Sequence, residues 1–201
     1  MNAKTHWETV YANKAPDAVS WYRPHLETSL ALIERAAMAH KSASIIDVGG
    51  GESTLVDDLL ARGYENITVL DVSQVAIEVT KKRLGQAAER VRWITADITQ
   101  VEGEPSSCDV WHDRAVFHFL TTAEQRVAYV RNVANTVRPG GNVIVSTFGP
   151  EGPTLATQPI RCALPSGGEL ERTASHTIWQ HAAVSLLLLQ SPISSGIRNS
   201  S

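Results

Sequence analysis

Ile45-Ile46-Asp47-Val48-Gly49-Gly50-Gly51-Glu52-Ser53-Thr54-Leu55 constrains this chain more than any other stretch. A β-branched run ends in an acid, three glycines follow, and an amphipathic pattern begins at once. The order predicts a strand, a tight turn and a helix built around a small ligand. Glycines at Gly49, Gly50 and Gly51 admit positive φ and let a ligand approach where any Cβ would collide. The start of the following helix offers unpaired N–H groups and a partial positive charge to polar ligand atoms. Asp47, at the carboxyl end of the strand, can accept hydrogen bonds from an amine or hydroxyl.

Two further strands end the same way. Ile67-Thr68-Val69-Leu70 runs into Asp71, which lies twenty residues after Gly51. In a doubly wound sheet this position brings a carboxylate to the crevice where it can grip a ribose diol. Val91 to Ile98 reads as a third strand ending in Asp97, and Ile98 beside it can lie against an adenine face. Each acid alone would serve as well as a helix N-cap or a solvated turn residue. Three acids on successive strands converge on one edge of one sheet.

The rest of the first three-quarters of the chain fits that sheet. Glu27 to Ala39 and Ser53 to Ala61 carry helical periodicity, the second stopping at Gly63. Ser73 is an N-cap for a helix that stops near Gly85. Asp109 to Asp113 reads as strand four, and Thr121-Thr122-Ala123-Glu124 as a capping box that opens a helix ending at Pro139-Gly140. Asn142 to Phe148 is strand five. Alternating strands and helices imply an α/β fold, a Rossmann-like doubly wound and mostly parallel sheet with right-handed crossovers.

Asp47-x-Gly49-x-Gly51, then Asp71, then Ala96-Asp97-Ile98, then Arg138-Pro139-Gly140-Gly141 resembles the class I S-adenosylmethionine-dependent methyltransferases. The likeness spans about residues 5 to 153 and is close to a subgroup of small bacterial enzymes with similar "WYRPHLE", "DVGGG.STLVD" and "DRAVFHFLT" segments. Ser53 stands where that family usually has another glycine. A nicotinamide enzyme would want G-x-G-x-x-G, and Thr54 breaks that spacing. The resemblance implies S-adenosyl-L-methionine as cofactor, held by Asp47, Gly49, Gly50, Gly51, Ser53, Asp71, Val72, Asp97 and Ile98. It also implies that the segment ahead of the first sheet strand folds over the cofactor, so Trp21 and Tyr22 are expected to close the pocket and face the sulfonium. After strand four, Asp113, Arg114 and His118 are the candidate catalytic residues, with Asp113 counted among the cofactor contacts as well. Asp113 could orient or deprotonate the acceptor, and Arg114 could bind an acidic group or brace Asp113; a structural Asp113–Arg114 pair is the alternative. His112 alternates to the opposite face of the strand and is expected to pack.

Composition narrows the partners. The 201 residues, 43% apolar and 19% charged with a net charge of −3, suit one compact domain and lack a basic footprint for nucleic acid. Cys108 and Cys162 have no metal or redox spacing, and the seven histidines form no ligand cluster, so no metal is expected. The amino terminus lacks an apolar signal core, and Ala182 to Leu189 is too short to span a bilayer. A cytoplasmic enzyme with a small-molecule acceptor is expected, neither nucleic acid nor membrane being a partner. A protein side-chain acceptor and a cofactor-binding but catalytically impaired protein are the alternatives. The Asn-Pro-Pro-Tyr-like residues of nucleic-base amino methyltransferases are absent after strand four.

The domain is expected to cover 1–153, with a lid and helix over 1–43 and the sheet core over 44–153. The tail, 154–201, is of another kind, rich in Pro, Ser, Gly and Thr. Family members finish with an antiparallel hairpin beside strand five, and none is legible here. Shifting the codons from His176 onward by one base permits Thr-Pro-Phe-Gly-Ser-Thr-Gln-Gln-Phe-Leu-Tyr-Cys-Tyr-Cys, which resembles that hairpin. A tail read out of frame, poorly ordered, and a chain of weak or absent activity are therefore expected.

Overall fold

The computed structural model describes residues 3–13, 22–114, 116–148 and 184–190. The chain begins with helix α1 (Ala3–Asn13) and, after residue 21, helix α2 (Glu27–Ala36). Leu26, Leu30, Ile33 and Ala37 recur at helical spacing and are all buried, so they set which face of α2 meets the sheet. Full burial of side chains such as Leu30 and Ile33 contributes ~1.5–3 kcal/mol each. The helix stops three residues short of the predicted Ala39, because Met38 and Ala39 turn to φ 48° and 59°.

The sheet is built from β1 (Ser44–Val48), β2 (Asn66–Asp71), β3 (Val91–Thr95), β4 (Cys108–Arg114), β5 (Val137–Phe148) and β6 (Val184–Gln190). Their spatial order is β3-β2-β1-β4-β5-β6, the first five parallel and β6 antiparallel to β5. The crossovers are α3 (Leu55–Ala61), α4 (Gln74–Leu84) and α5 (Ala123–Thr136). Period-two alternation divides the core between the two faces. Ile45, Ile67, Val69, Val110 and Ile144 pack with α2 and α3 on one side. Val48, Leu70, Trp111, Val143 and Val145 pack with Tyr129 and Val133 of α5 on the other. The α/β doubly wound expectation is met, and the chain reverses strand order between β1 and β4, where such sheets bind ligands.

Several boundaries moved. Ser73 caps α4, its hydroxyl accepting from the Ala76 N–H, and Gly85 ends it at φ 57°. The capping box of α5 lies one residue later than expected: Thr122 pairs with Gln125, not Thr121 with Glu124. Strand β3 ends at Thr95, so Asp97 stands beyond it on the connection. Strand β5 opens at Val137, and its register against β4 shifts between Cys108 and Val110 to absorb Arg138-Pro139-Gly140-Gly141, with Gly140 at φ 82°.

The carboxyl-terminal expectation needs one correction. Val184–Gln190 is not patternless tail; it pairs along the edge of β5 from Phe148↔Val184 to Asn142↔Gln190. An open strand edge presents unpaired N–H and C=O groups, and a leucine-rich extended segment can satisfy them whatever its origin. The expectations for the other tail residues and for Trp21 lie outside the described residues. Among the described residues no helix is long and apolar enough to cross a membrane.

Candidate functional site

The carboxyl ends of β1, β2 and β4 bring Asp47, Asp71 and Asp113 to one edge, because Val48 is in register with both Leu70 and Asp113. The turn after β1 shapes the floor. Gly49 stands at φ 72°, and a Cβ there would run into the Val116 side chain. A Cβ on Gly51 would lie 2.7 Å from Asp71 Oδ2 and 2.8 Å from Ala76 Cβ, and one on Gly50 would collide with Asp47 Oδ2. Glycine is required here by contact as well as by conformation. Ser53 closes the turn, its N–H donating to the Gly50 carbonyl at 2.8 Å and its hydroxyl accepting from Leu55 N–H at 3.2 Å.

Asp71 is held from below. Its Oδ2 accepts from the Gly51 N–H at 3.0 Å and its Oδ1 from the Ser73 N–H at 2.8 Å. Burial outweighs those two donors and pushes its pKa up to about 6, with Asp47 and Glu8 adding to the rise. Val72 beside it is half-buried. Asp97 turns inward on its own connection, accepting from the Thr99 N–H and hydroxyl at 2.9 and 2.7 Å. Ile98 is buried among the core side chains of the α5 face.

Asp47 has two unlike oxygens. Oδ1 lies 2.7 Å from His112 Nδ1, whereas Oδ2 is buried with no hydrogen-bond partner. Glu52, 7% exposed, has both carboxylate oxygens buried and unpartnered. Burial raises its pKa; Arg83 opposes the rise and Asp71 reinforces it. Buried carboxylate oxygens without donors are costly, so this floor is chemically suited to a ligand that brings N–H, O–H or positive charge.

Asp113 corrects its expected placement. It is 0% exposed, with Oδ1 accepting from Val116 N–H (2.8 Å) and Oδ2 from Phe117 N–H (3.1 Å) and the Tyr129 hydroxyl (2.7 Å). The side chain lies under the loop after β4 because strand alternation turns it towards α5. Burial pushes its pKa up to about 6 against these donors. Arg114 is half-buried, and burial lowers its pKa; the Asp47 charge works against that shift and Arg23 with it. His118 lies in a short 3₁₀ turn (Phe117–Phe119) with its ring centroid 4.1 Å from that of Phe119, and burial pushes its pKa down to about 4.

The cover over this edge comes from α1. Glu8 accepts from the Gln74 N–H at 2.9 Å, the Ser73 hydroxyl at 3.2 Å and the Val75 N–H at 3.3 Å, at the start of α4. Beside it in sequence, Trp7 meets Phe119 edge-on with centroids 5.0 Å apart and stacks near Tyr11, one turn further on. Burial, then Asp71 and Glu52, raise the Tyr11 pKa. The expected cover was Trp21 and Tyr22; the helical spacing of Trp7 and Tyr11 is the sequence signal for this one. Half-buried Tyr22 belongs to a strap held to α3 by the Thr54 hydroxyl donating to the Arg23 carbonyl and by His25 beside Asp58, both at 3.0 Å.

Residues 45–141 match the family described as "Methyltransferase domain". Over that span, just under half of its length, the chain is similar to S-adenosylmethionine-dependent methyltransferases. Among curated relatives, it is 27% identical over 139 residues to the eEF1A lysine and N-terminal methyltransferase of Mus musculus, covering 69% of this chain and 19% of that protein. The chain thus spans about a fifth of that relative's length. Its fold is shared with the N-methyltransferase NodS from Bradyrhizobium japonicum WM9, solved with S-adenosyl-L-homocysteine (21% identity, 73% of this chain and 74% of that one, TM-score 0.59). It is shared also with a TehB-like SAM-dependent methyltransferase from Corynebacterium glutamicum (18% identity, 94% and 97%, TM-score 0.63). The glycine floor and the unpartnered carboxylate oxygens suit a nucleoside ligand that carries positive charge.

Proposed function

We propose that the chain transfers the methyl group of S-adenosyl-L-methionine to a small-molecule acceptor. The observation that carries the reading is the buried, unpartnered Asp47 Oδ2 over a glycine floor that excludes any Cβ. In this reading Asp71 receives the ribose diol and Asp47 Oδ2 the ammonium of the methionine moiety. Gly49, Gly50, Gly51 and Ser53 supply the backbone floor, and Val72, Asp97 and Ile98 the adenine side. When bound, the sulfonium supplies an activated methyl group for in-line displacement, and positioning accounts for much of the rate. The chain's own residues then orient and exclude water. Trp7 and Tyr11 cover the edge, with Trp21 and Tyr22 assigned to the same cover. Asp113 acts through the loop that it anchors. Arg114 and a neutral His118 face the acceptor side; with a pKa near 4, His118 orients an acceptor better than it deprotonates one.

Calorimetry with S-adenosyl-L-methionine and S-adenosyl-L-homocysteine, followed by methyl-donor turnover against an acceptor panel, tests this. Saturable binding of both is expected, and no heat with either at millimolar concentration overturns it. A protein side-chain acceptor is the second reading, favoured by the eEF1A methyltransferase name of the curated relative; turnover confined to protein acceptors would select it. A third outcome, cofactor binding without turnover, would support an impaired chain, and a version with its terminal frame restored would then recover activity.

A further inference from the structure

We infer that His112 is a positioning residue for methyl-donor binding, setting the Asp47 carboxylate through a buried hydrogen-bond chain that begins at Ser29. The inference rests on the methyl-donor reading of the site. His112 is 1% exposed, and both ring nitrogens are engaged: Nδ1 lies 2.7 Å from Asp47 Oδ1 and Nε2 lies 3.0 Å from Ser29 Oγ. Three elements contribute one member each, Ser29 from α2, His112 from β4 and Asp47 from β1. A carboxylate only accepts, so Nδ1 carries the hydrogen towards Asp47. In the neutral ring Nε2 then accepts from the Ser29 hydroxyl.

The consequence falls on Asp47. With Oδ1 tied to the imidazole, the carboxylate cannot turn its unpartnered Oδ2 away from the glycine floor. The bond to a fixed donor also polarises the group in a dry environment. Strand pairing supports the arrangement, because Asp47 and His112 are register partners on adjacent parallel strands and project to the same face. A hydrophobic residue at position 112 would leave Asp47 Oδ1 and Ser29 Oγ buried without this partner. The imidazole is therefore explained by what it holds.

Titration of S-adenosyl-L-methionine into His112→Phe, Asp47→Asn and the double variant tests the inference. His112→Phe should weaken binding about 10–100-fold, the effect expected for a hydrogen bond to a charged group. In the Asp47→Asn background the same change should weaken it less than about twofold, because the residue acts through Asp47. Multiplicative losses would identify a packing role and overturn the inference. Nitrogen-15 spectra of the wild-type ring should show the Nδ1–H tautomer and a shift on saturation; the Nε2–H tautomer, or no response, overturns it. If His112→Phe fails to fold, Ser29→Ala decides: about 2–5-fold weaker binding with an unchanged fold supports the chain, and unchanged affinity overturns it. Failure of the wild type to bind the donor would instead sink the methyl-donor reading, and this inference with it.

Discussion

Asp71 and Asp113 are acids whose pKa is raised by burial against the donors that hold them. Each has a folded pKa near 6, above the ordinary aspartate value. Their contribution to stability is therefore complete below the unfolded pKa and lost as pH rises through about 6. Urea melts of the ligand-free protein should lose about 1 kcal/mol per acid between pH 5 and pH 7. Asp71→Asn should flatten roughly half of that slope, and an unchanged slope would contradict the burial argument. Gly51 allows a sharper test. A methyl group there meets Asp71 Oδ2 at 2.7 Å and Ala76 Cβ at 2.8 Å, neither of which is the end of a long side chain. Gly51→Ala should destabilise by ~1–3 kcal/mol, read from the denaturation midpoint, and weaken S-adenosyl-L-methionine binding as the acid is displaced.

At the scale of elements, α1 and α4 are joined through one side chain. Glu8 takes the donors that a capping acid would take, but from another helix, and Ser73 serves the same helix start from within the chain. Glu8→Ala should cost ~0.5–2 kcal/mol, the range for losing a cap. Hydrogen exchange should rise in α1 while β1 and β4 stay protected; uniform loss of protection would mean that α1 belongs to the core. The periodicity of α2 was legible because burial of one face imposes a repeat, whereas the end of β3, two residues short of Asp97, was not. The one-residue error at the α5 cap had a simple cause. Thr121 and Thr122 are both cap residues, with Glu124 and Gln125 as their matching partners, so only the path of the incoming chain selects Thr122.

At the scale of the whole molecule, one antiparallel pairing closes the described sheet. β6 covers β5 along seven residue pairs, antiparallel to an otherwise parallel sheet. A chain stopped before Val184 should expose the β5 edge, melt at lower temperature and scatter light at concentrations where the full chain is clear. Equal melting and solubility would show that the pairing contributes little. The antiparallel hairpin that the resemblance implies beside strand five was not legible in the sequence. Backbone groups accept any extended partner, and a run of leucines supplied one.

The alternation of strands and helices, the glycine turn, the acids at the ends of β1 and β2 and the methyltransferase likeness follow from sequence alone, because each is a local pattern with a short-range cause. Tertiary structure decided which atoms those acids offer. Asp113 was spent on holding a loop, Asp47 was divided between a histidine and an unpartnered oxygen, and Glu52 was buried with both oxygens unpartnered. Such choices depend on which element arrives from the other side of the sheet, and no spacing within one segment encodes that.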